Sequence, residues 1–140
     1  MTTQINDDVP TAFAAIALAA VSWDGVLTMA GSRALRHALD YRAPFNGFGD
    51  ARMVALLDGL LADLRRKGAQ HLMVDAAAVL SHGQRATAYA VAVEIMRSDG
   101  PIQDDEGNIL ASLAEVLGLE SQRVVEIHAV MDVLHASLVP

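Results

Sequence analysis

Apolar residues recur along this chain at the three- and four-residue spacing of amphipathic helices, and clusters of Gly and Pro interrupt the pattern. The predicted helices cover about residues 11–22, 29–41, 50–67, 69–80, 84–97, 104–117 and 120–138. We therefore predict an all-α domain of about seven helices that takes in residues 1–140, with residues 1–10 as a flexible N-terminal segment.

The first predicted helix is apolar almost all round. Its apolar stretch, from Thr11 to Trp23, stops at Asp24 and is too short to span a bilayer. The residues before it lack the basic region that opens a signal peptide. We expect this helix to lie at the centre of the core and predict no transmembrane segment.

Composition favours packed helices over a sheet. Hydrophobic residues make up 53% of the chain and aromatic residues only 4%, whereas strands are usually rich in β-branched and aromatic side chains. The length of 140 residues is that of one domain. An all-β fold is disfavoured.

The balance of charge limits the partners. Seventeen acidic and ten basic residues give a formal net charge of -7, which is the wrong sign for binding phosphate backbones or anionic lipid. We therefore expect no nucleic-acid partner.

The chain contains no cysteine. This excludes disulfides, thiolate metal sites, a cysteine nucleophile and direct thiol reduction of a substrate. The cytoplasm is the simplest expectation for its location.

A repeat emerges when the sequence is compared with itself after a shift of 75 positions. The shift aligns Asp24-Gly25 with Asp99-Gly100, Ala15 with Ala90, Ala17 with Ala92, Leu27 with Ile102, and Leu35 with Leu110. Each copy consists of an apolar helix, an Asp-Gly turn and a second amphipathic helix. Two such hairpin units can pack face to face about a pseudo-twofold axis.

At these residues the sequence resembles the TerB-like family, the tellurite-resistance protein B domain that also occurs at the N-terminus of certain membrane-anchored J-domain co-chaperones. The family pattern is an Asp-Gly turn, an aliphatic residue two positions on, a Glu four positions later, and a helix that closes in Leu-Gly-Leu. The second copy follows it with Asp99-Gly100, Ile102, Glu106 and Leu117-Gly118-Leu119. The resemblance spans about residues 12–138.

The resemblance implies a non-enzymatic interaction module associated with resistance to tellurite and other stresses. It further implies protein partners in larger assemblies at the cytoplasmic side of the membrane. Self-association of the chain stays open. In the first copy, Met29, Ala30 and Gly31 stand where the pattern has acids, so we predict an architectural role for that copy and a functional role for the second.

The second turn concentrates four carboxylates, Asp99, Asp104, Asp105 and Glu106. Such oxygen ligands could hold Ca²⁺ or Mg²⁺, and the resemblance implies a metal site at this turn. Asp24 of the first turn is a further candidate ligand. In the alternative interpretation Asp99 forms an Asx-turn, the following residues cap the next helix, and no ion binds. A true EF-hand is rejected because Ile95 and Arg97 occupy two of its ligand positions.

Histidines on the last predicted helix give a second candidate metal site. His128, Asp132 and His135 follow the spacing i, i+4 and i+7, which places them along one side of the helix. The alternative is that they lie at the edge of the apolar stripe and hydrogen-bond to neighbouring residues.

Trp23 precedes the first Asp-Gly turn, where the resemblance leads us to expect a small residue. It either fills the core between the hairpins or is partly exposed and anchors a partner, as tryptophans often do at interfaces.

Three functions remain in competition: an interaction module of the TerB type, a regulatory domain that responds to Ca²⁺ or Mg²⁺, and a small enzyme or cofactor binder. The third would use the helix histidines or a pocket roofed by the Phe45 to Phe48 loop. The role of the longer Arg42 to Gly49 loop stays open. No serine elbow, phosphate-binding loop or His-Glu-x-x-His motif is present. We therefore expect the chain not to be an enzyme.

Overall fold

The structure is a computed structural model that describes residues 8–98 and 100–139. Within these residues it contains seven α-helices and no β-strand. The helices are α1 (Val9–Val21), α2 (Met29–Asp40), α3 (Gly49–Lys67), α4 (Ala69–Val79), α5 (His82–Arg97), α6 (Asp104–Val116) and α7 (Ser121–Leu134), with a 3₁₀ turn at Phe45–Gly47 between α2 and α3. The all-α prediction is confirmed.

Helix α1 lies at the centre of the core, as its apolar composition predicts. Every residue from Thr11 to Ala20 is buried. The helix packs mainly against α4 and α5 and also contacts α2, α3 and α6. Alanines are buried on all three central helices, and small side chains allow helix axes to approach closely. They are Ala12, Ala14, Ala15, Ala17, Ala19 and Ala20 on α1, Ala69, Ala76 and Ala77 on α4, and Ala88 and Ala92 on α5.

The N-terminus of α1 corrects one boundary. The helix begins at Val9, with Pro10 in its first turn, where the fixed φ of proline suits a helix start. Residues 9 and 10 therefore do not belong to a flexible segment. The flexibility predicted for residues 1–7 lies outside the described residues.

The two repeated units have the same local plan. Gly25 (φ 84°) and Gly100 (φ 126°) both have positive φ, which favours glycine. Helices α2 and α6 begin at equivalent positions of the repeat, Met29 and Asp104. Helix α1 contacts both α2 and α6, and α5 contacts the same two helices. The pseudo-twofold relation between the units stays a prediction.

Helix α7 is peripheral. It packs against α5, and none of its residues is buried. It ends at Leu134, four residues before the predicted end at residue 138. After it, the Ser137 hydroxyl accepts a hydrogen bond from the Val139 amide, and such local bonds compete with a helical ladder.

None of the helices in the described residues is long and apolar enough to cross a membrane.

Candidate functional site

Two hydrogen bonds that involve side chains help to hold the first Asp-Gly turn in place. The Asp24 carboxylate accepts from the Val26 amide at 3.0 Å, which makes an Asx-turn. The Arg65 side chain of α3 donates through Nε to the Gly25 carbonyl at 2.9 Å. The turn is therefore tied to a helix remote in sequence.

The second turn leads into α6 through a helix cap. The Glu106 carboxylate accepts from the Gln103 amide at 2.9 Å, and the Asp105 carboxylate accepts from the Glu106 amide at 3.0 Å. Asp104, Asp105 and Glu106 all lie in the first turn of α6, where the helix dipole favours negative charge. The predicted capping role of these residues is seen in these bonds. The Asx-turn and the metal ligand predicted at Asp99 lie outside the described residues.

A cleft of about 530 Å³ brings the two turns together. We name it the two-turn cleft. It is lined by Ala20, Val21, Trp23, Asp24, Thr28, Gly31, Ile95, Met96, Asp105, Glu106, Asn108, Ile109 and Ser112. These residues come from both repeated units, so that neither turn forms the cleft alone.

The lining divides into an apolar base and an acidic rim. Ala20, Ile95 and Met96 are buried, whereas Asp24 and Asp105 are exposed. Among the described residues that line the cleft there are three carboxylates and no Lys or Arg. The cleft therefore combines an apolar surface with a local negative potential.

Trp23 forms one side of the two-turn cleft and is half-buried. It also lines a second cavity, of about 550 Å³, that Lys67 and His71 border. The indole packs against the core and still reaches the surface of the cleft. Trp23 therefore combines features of both predicted roles.

Asp104, Asp105 and Glu106, the described carboxylates of the second turn, do not form a metal centre on their own. Asp105 and Glu106 line the two-turn cleft with Asp24, but Asp104 does not. Within residues 8–98 and 100–139, no three His, Cys, Asp or Glu side chains are grouped so that they could hold a metal ion. Asp24, Asp105 and Glu106 each accept a backbone amide hydrogen bond instead.

The candidate site on the last helix is not assembled. His128 Nε2 lies 2.7 Å from the Tyr89 hydroxyl, and His135 Nε2 lies 2.6 Å from a carboxylate oxygen of Glu94. The Asp132 carboxylate accepts a hydrogen bond from Arg97 Nη1 at 2.6 Å. The three residues thus bond separately to α5 and fasten α7 to it. The alternative interpretation, hydrogen bonding at the edge of the apolar stripe, describes this geometry.

The Tyr89 hydroxyl, which contacts His128, is affected by its burial. The Tyr89 side chain is only 1% exposed, and desolvation raises the pKa of its hydroxyl to about 12. The hydroxyl is therefore neutral at ordinary pH and can donate to His128.

The pocket considered at the Phe45 to Phe48 loop corresponds to a cavity of about 550 Å³, which Phe45 lines together with Arg42, Ala43 and Pro44. Phe45 is buried there and stacks edge-on with Phe48 at 5.5 Å between ring centroids. Arg42 is the one charged side chain among the described residues that line it. This lining supplies no acid-base pair.

Sequence reasoning did not find the base of the two-turn cleft. Ile95, Met96 and Ile109 look like ordinary core positions in a helical pattern. Sequence reasoning gave the main functional role to the second turn and considered Asp24 and Trp23 separately, whereas the structure places both of them in one cleft with Asp105 and Glu106.

No family model, curated protein or solved structure matches the chain. The TerB-like resemblance is therefore carried by the sequence pattern of the repeat and its two turns alone.

Proposed function

We propose that this chain is a non-enzymatic interaction module of the TerB type, which docks a partner protein at the two-turn cleft. The observation that carries the proposal is the composition of this cleft. A partly exposed tryptophan, an apolar base and a polar rim are the features of an interface hot spot, in which buried anchors are surrounded by polar contacts.

The scaffold suits docking because the cleft is fixed before a partner arrives. The Asx-turn at Asp24, the bond from Arg65 to Gly25 and the cap at Glu106 each hold part of the rim. A preformed site loses little conformational entropy on binding. The carboxylates of the rim accept amide hydrogen bonds, which suits recognition better than proton transfer.

The resemblance to the TerB-like family adds the class of partner to the proposal. It favours partners from a tellurite-resistance or stress-response assembly on the cytoplasmic side of the membrane. The absence of cysteine agrees with a scaffolding role.

Site-specific cross-linking in the source cell tests the proposal. A photoreactive benzoyl-phenylalanine replaces Ser112, which lines the two-turn cleft. The matched control carries the same residue at Ala111, the exposed neighbour on α6 that is not part of the lining. We expect adducts with tellurite-resistance or stress proteins from position 112 and not from position 111. If position 112 gives no more adduct than position 111, the proposal is wrong.

A metal-responsive regulatory domain is the second candidate, because the resemblance to the TerB-like family implies a metal site at the second turn and Asp105 and Glu106 of that turn line the cleft. Calorimetric titration with Ca²⁺ and Mg²⁺, together with melting of the wild type and of Asp105→Asn, tests it. This candidate requires a rise in the wild-type melting temperature that the variant loses. An unchanged melting temperature at millimolar ion would eliminate it.

A further inference from the structure

The two-turn cleft has a chemistry that selects among partners. Its base is apolar at Ala20, Ile95 and Met96, which are only 4–5% exposed. Its volume of about 530 Å³ falls in the range of roughly 300–1,000 Å³ that is typical of sites that bury most of a ligand. A whole aliphatic or aromatic side chain can therefore enter the base.

The rim adds a charge preference. Asp24, Asp105 and Glu106 stand around the opening, and no Lys or Arg belongs to the described lining. The chain as a whole has a formal charge of -7. Complementary charges steer encounter and exclude partners of the wrong sign. A positively charged segment is attracted, and an acidic one is repelled.

Trp23 favours the same class of ligand. An indole attracts Lys and Arg side chains through its π face, and it is the residue type most enriched at interface hot spots. Its position between the apolar base and the acidic rim lets it contact both kinds of side chain in one partner. A hard cation such as Ca²⁺ or Mg²⁺, which prefers oxygen ligands, would gain nothing from Ile95 or Met96.

We infer that the two-turn cleft binds a basic, amphipathic segment of a partner protein, which inserts an apolar side chain at Ile95 and Met96 and places Lys or Arg against Asp24 and Asp105. This inference rests on the proposed docking function and names the class of partner. The competing occupant is a second copy of this chain, whose Arg66 is exposed at the end of α3.

The test uses the full chain and its single tryptophan, Trp23, as a fluorescent probe. The ligand is a synthetic peptide of Leu and Lys at helical spacing. One control peptide has Glu in place of every Lys, and another has Ser in place of every Leu. We expect the Leu/Lys peptide to bind with a blue shift of the emission, the Leu/Glu peptide not to bind, and the Ser/Lys peptide to bind at least about tenfold more weakly.

Two acids in the first turn of α6 supply a matched pair of variants. Both Asp104 and Asp105 are exposed, but only Asp105 lines the cleft. Asp105→Asn keeps an oxygen that can accept from the Glu106 amide, so its fold should be preserved. We expect Asp105→Asn to weaken binding of the Leu/Lys peptide about threefold, and the double variant Asp24→Asn with Asp105→Asn to weaken it about tenfold. Asp104→Asn should leave the binding nearly unchanged.

Three results would overturn the inference: equal losses from Asp104→Asn and Asp105→Asn, equal binding of the Leu/Glu peptide, or a concentration-dependent blue shift and dimer formation without peptide. These results leave the docking function intact if cleft-specific cross-links form in the cell. Conversely, if those cross-links do not form in the cell, the docking function is contradicted even where the peptide binds as expected.

Discussion

Asp24, which follows α1, and Asp105, in the first turn of α6, line the same cleft although they belong to different copies of the repeat. The negative rim is therefore a property of the pair of units. Alone, the first unit would present one of the lining acids, Asp24, and the second unit the other two, Asp105 and Glu106. The packing of α1, α5 and α6 produces the site, since these helices contact one another.

The acidic rim should make Trp23 sensitive to the sign of a quencher. Exposed carboxylates concentrate cations and repel anions within about a Debye length of roughly 10 Å at 0.1 M salt. We expect caesium to quench the fluorescence of Trp23 more strongly than iodide does, after each is normalised to a free tryptophan derivative. Asp24→Asn with Asp105→Asn should reduce the difference. Equal quenching of the wild type by both ions would show that the rim carries no effective negative potential.

Substitution of two glycines should change stability in opposite directions. Gly25 has φ 84° in the first turn, so Gly25→Ala should lower the free energy of unfolding by about 1 kcal/mol or more. Gly59 lies exposed within α3 and has open space where a Cβ would stand. Gly59→Ala should raise the free energy of unfolding by about 0.5–1 kcal/mol. Urea denaturation measures both, and a stabilising Gly25→Ala would refute the turn geometry.

The cap at the start of α6 should depend on the carboxylate of Glu106. Glu106→Ala removes the acceptor of the Gln103 amide and should cost about 1 kcal/mol of unfolding free energy. Glu106→Gln keeps an acceptor oxygen and should cost less. Glu115→Ala, at an exposed position later in α6, should change the free energy by less than about 0.5 kcal/mol. Thermal or chemical denaturation that ranks Glu115→Ala with Glu106→Ala would contradict the cap.

Ionisation of Tyr89 should make the protein less stable at high pH. Burial raises the pKa of its hydroxyl to about 12 in the folded state, above the value of about 10 expected when the chain is unfolded. The unfolded chain then loses the proton first as the pH rises. Ionisation of Tyr89 should leave the free energy of unfolding unchanged below about pH 10 and lower it between about pH 10 and 12.

Tyr89→Phe should abolish this loss of unfolding free energy at high pH. Tyr41→Phe, at a ring that is 80% exposed, should leave it unchanged. Chemical denaturation across that pH range measures the slope. An identical slope in wild type and Tyr89→Phe would mean that the hydroxyl is not buried against His128.

Most of the fold could be predicted because Gly and Pro mark the ends of its helices. Gly68, for example, ends α3 with a φ of 88°, and its position is plain in the sequence. The end of α7 was missed because the apolar residues continue to Leu138. Leu138 is fully exposed, so none of the described residues packs against it to stabilise a helix. Helical spacing alone does not reveal whether a face has a partner.

The site was only partly predictable for a related reason. The spacing of His128, Asp132 and His135 shows that they lie on one side of α7, but it cannot show that α5 supplies a separate bonding partner for each. Likewise, the repeat predicts two similar turns and leaves their separation in space undetermined. A site made by two units can be found only after they are packed.

A measurement of contact between the two turns tests most directly whether they line one cleft. The chain has no cysteine and one tryptophan, so Asn108→Cys labelled with bimane provides a unique fluorophore that Trp23 can quench only at close range. The two-turn cleft, which both positions line, predicts strong quenching that Trp23→Phe relieves, and no such quenching when the label is placed at Gly59. Bimane emission at position 108 that is unchanged by Trp23→Phe would contradict the account.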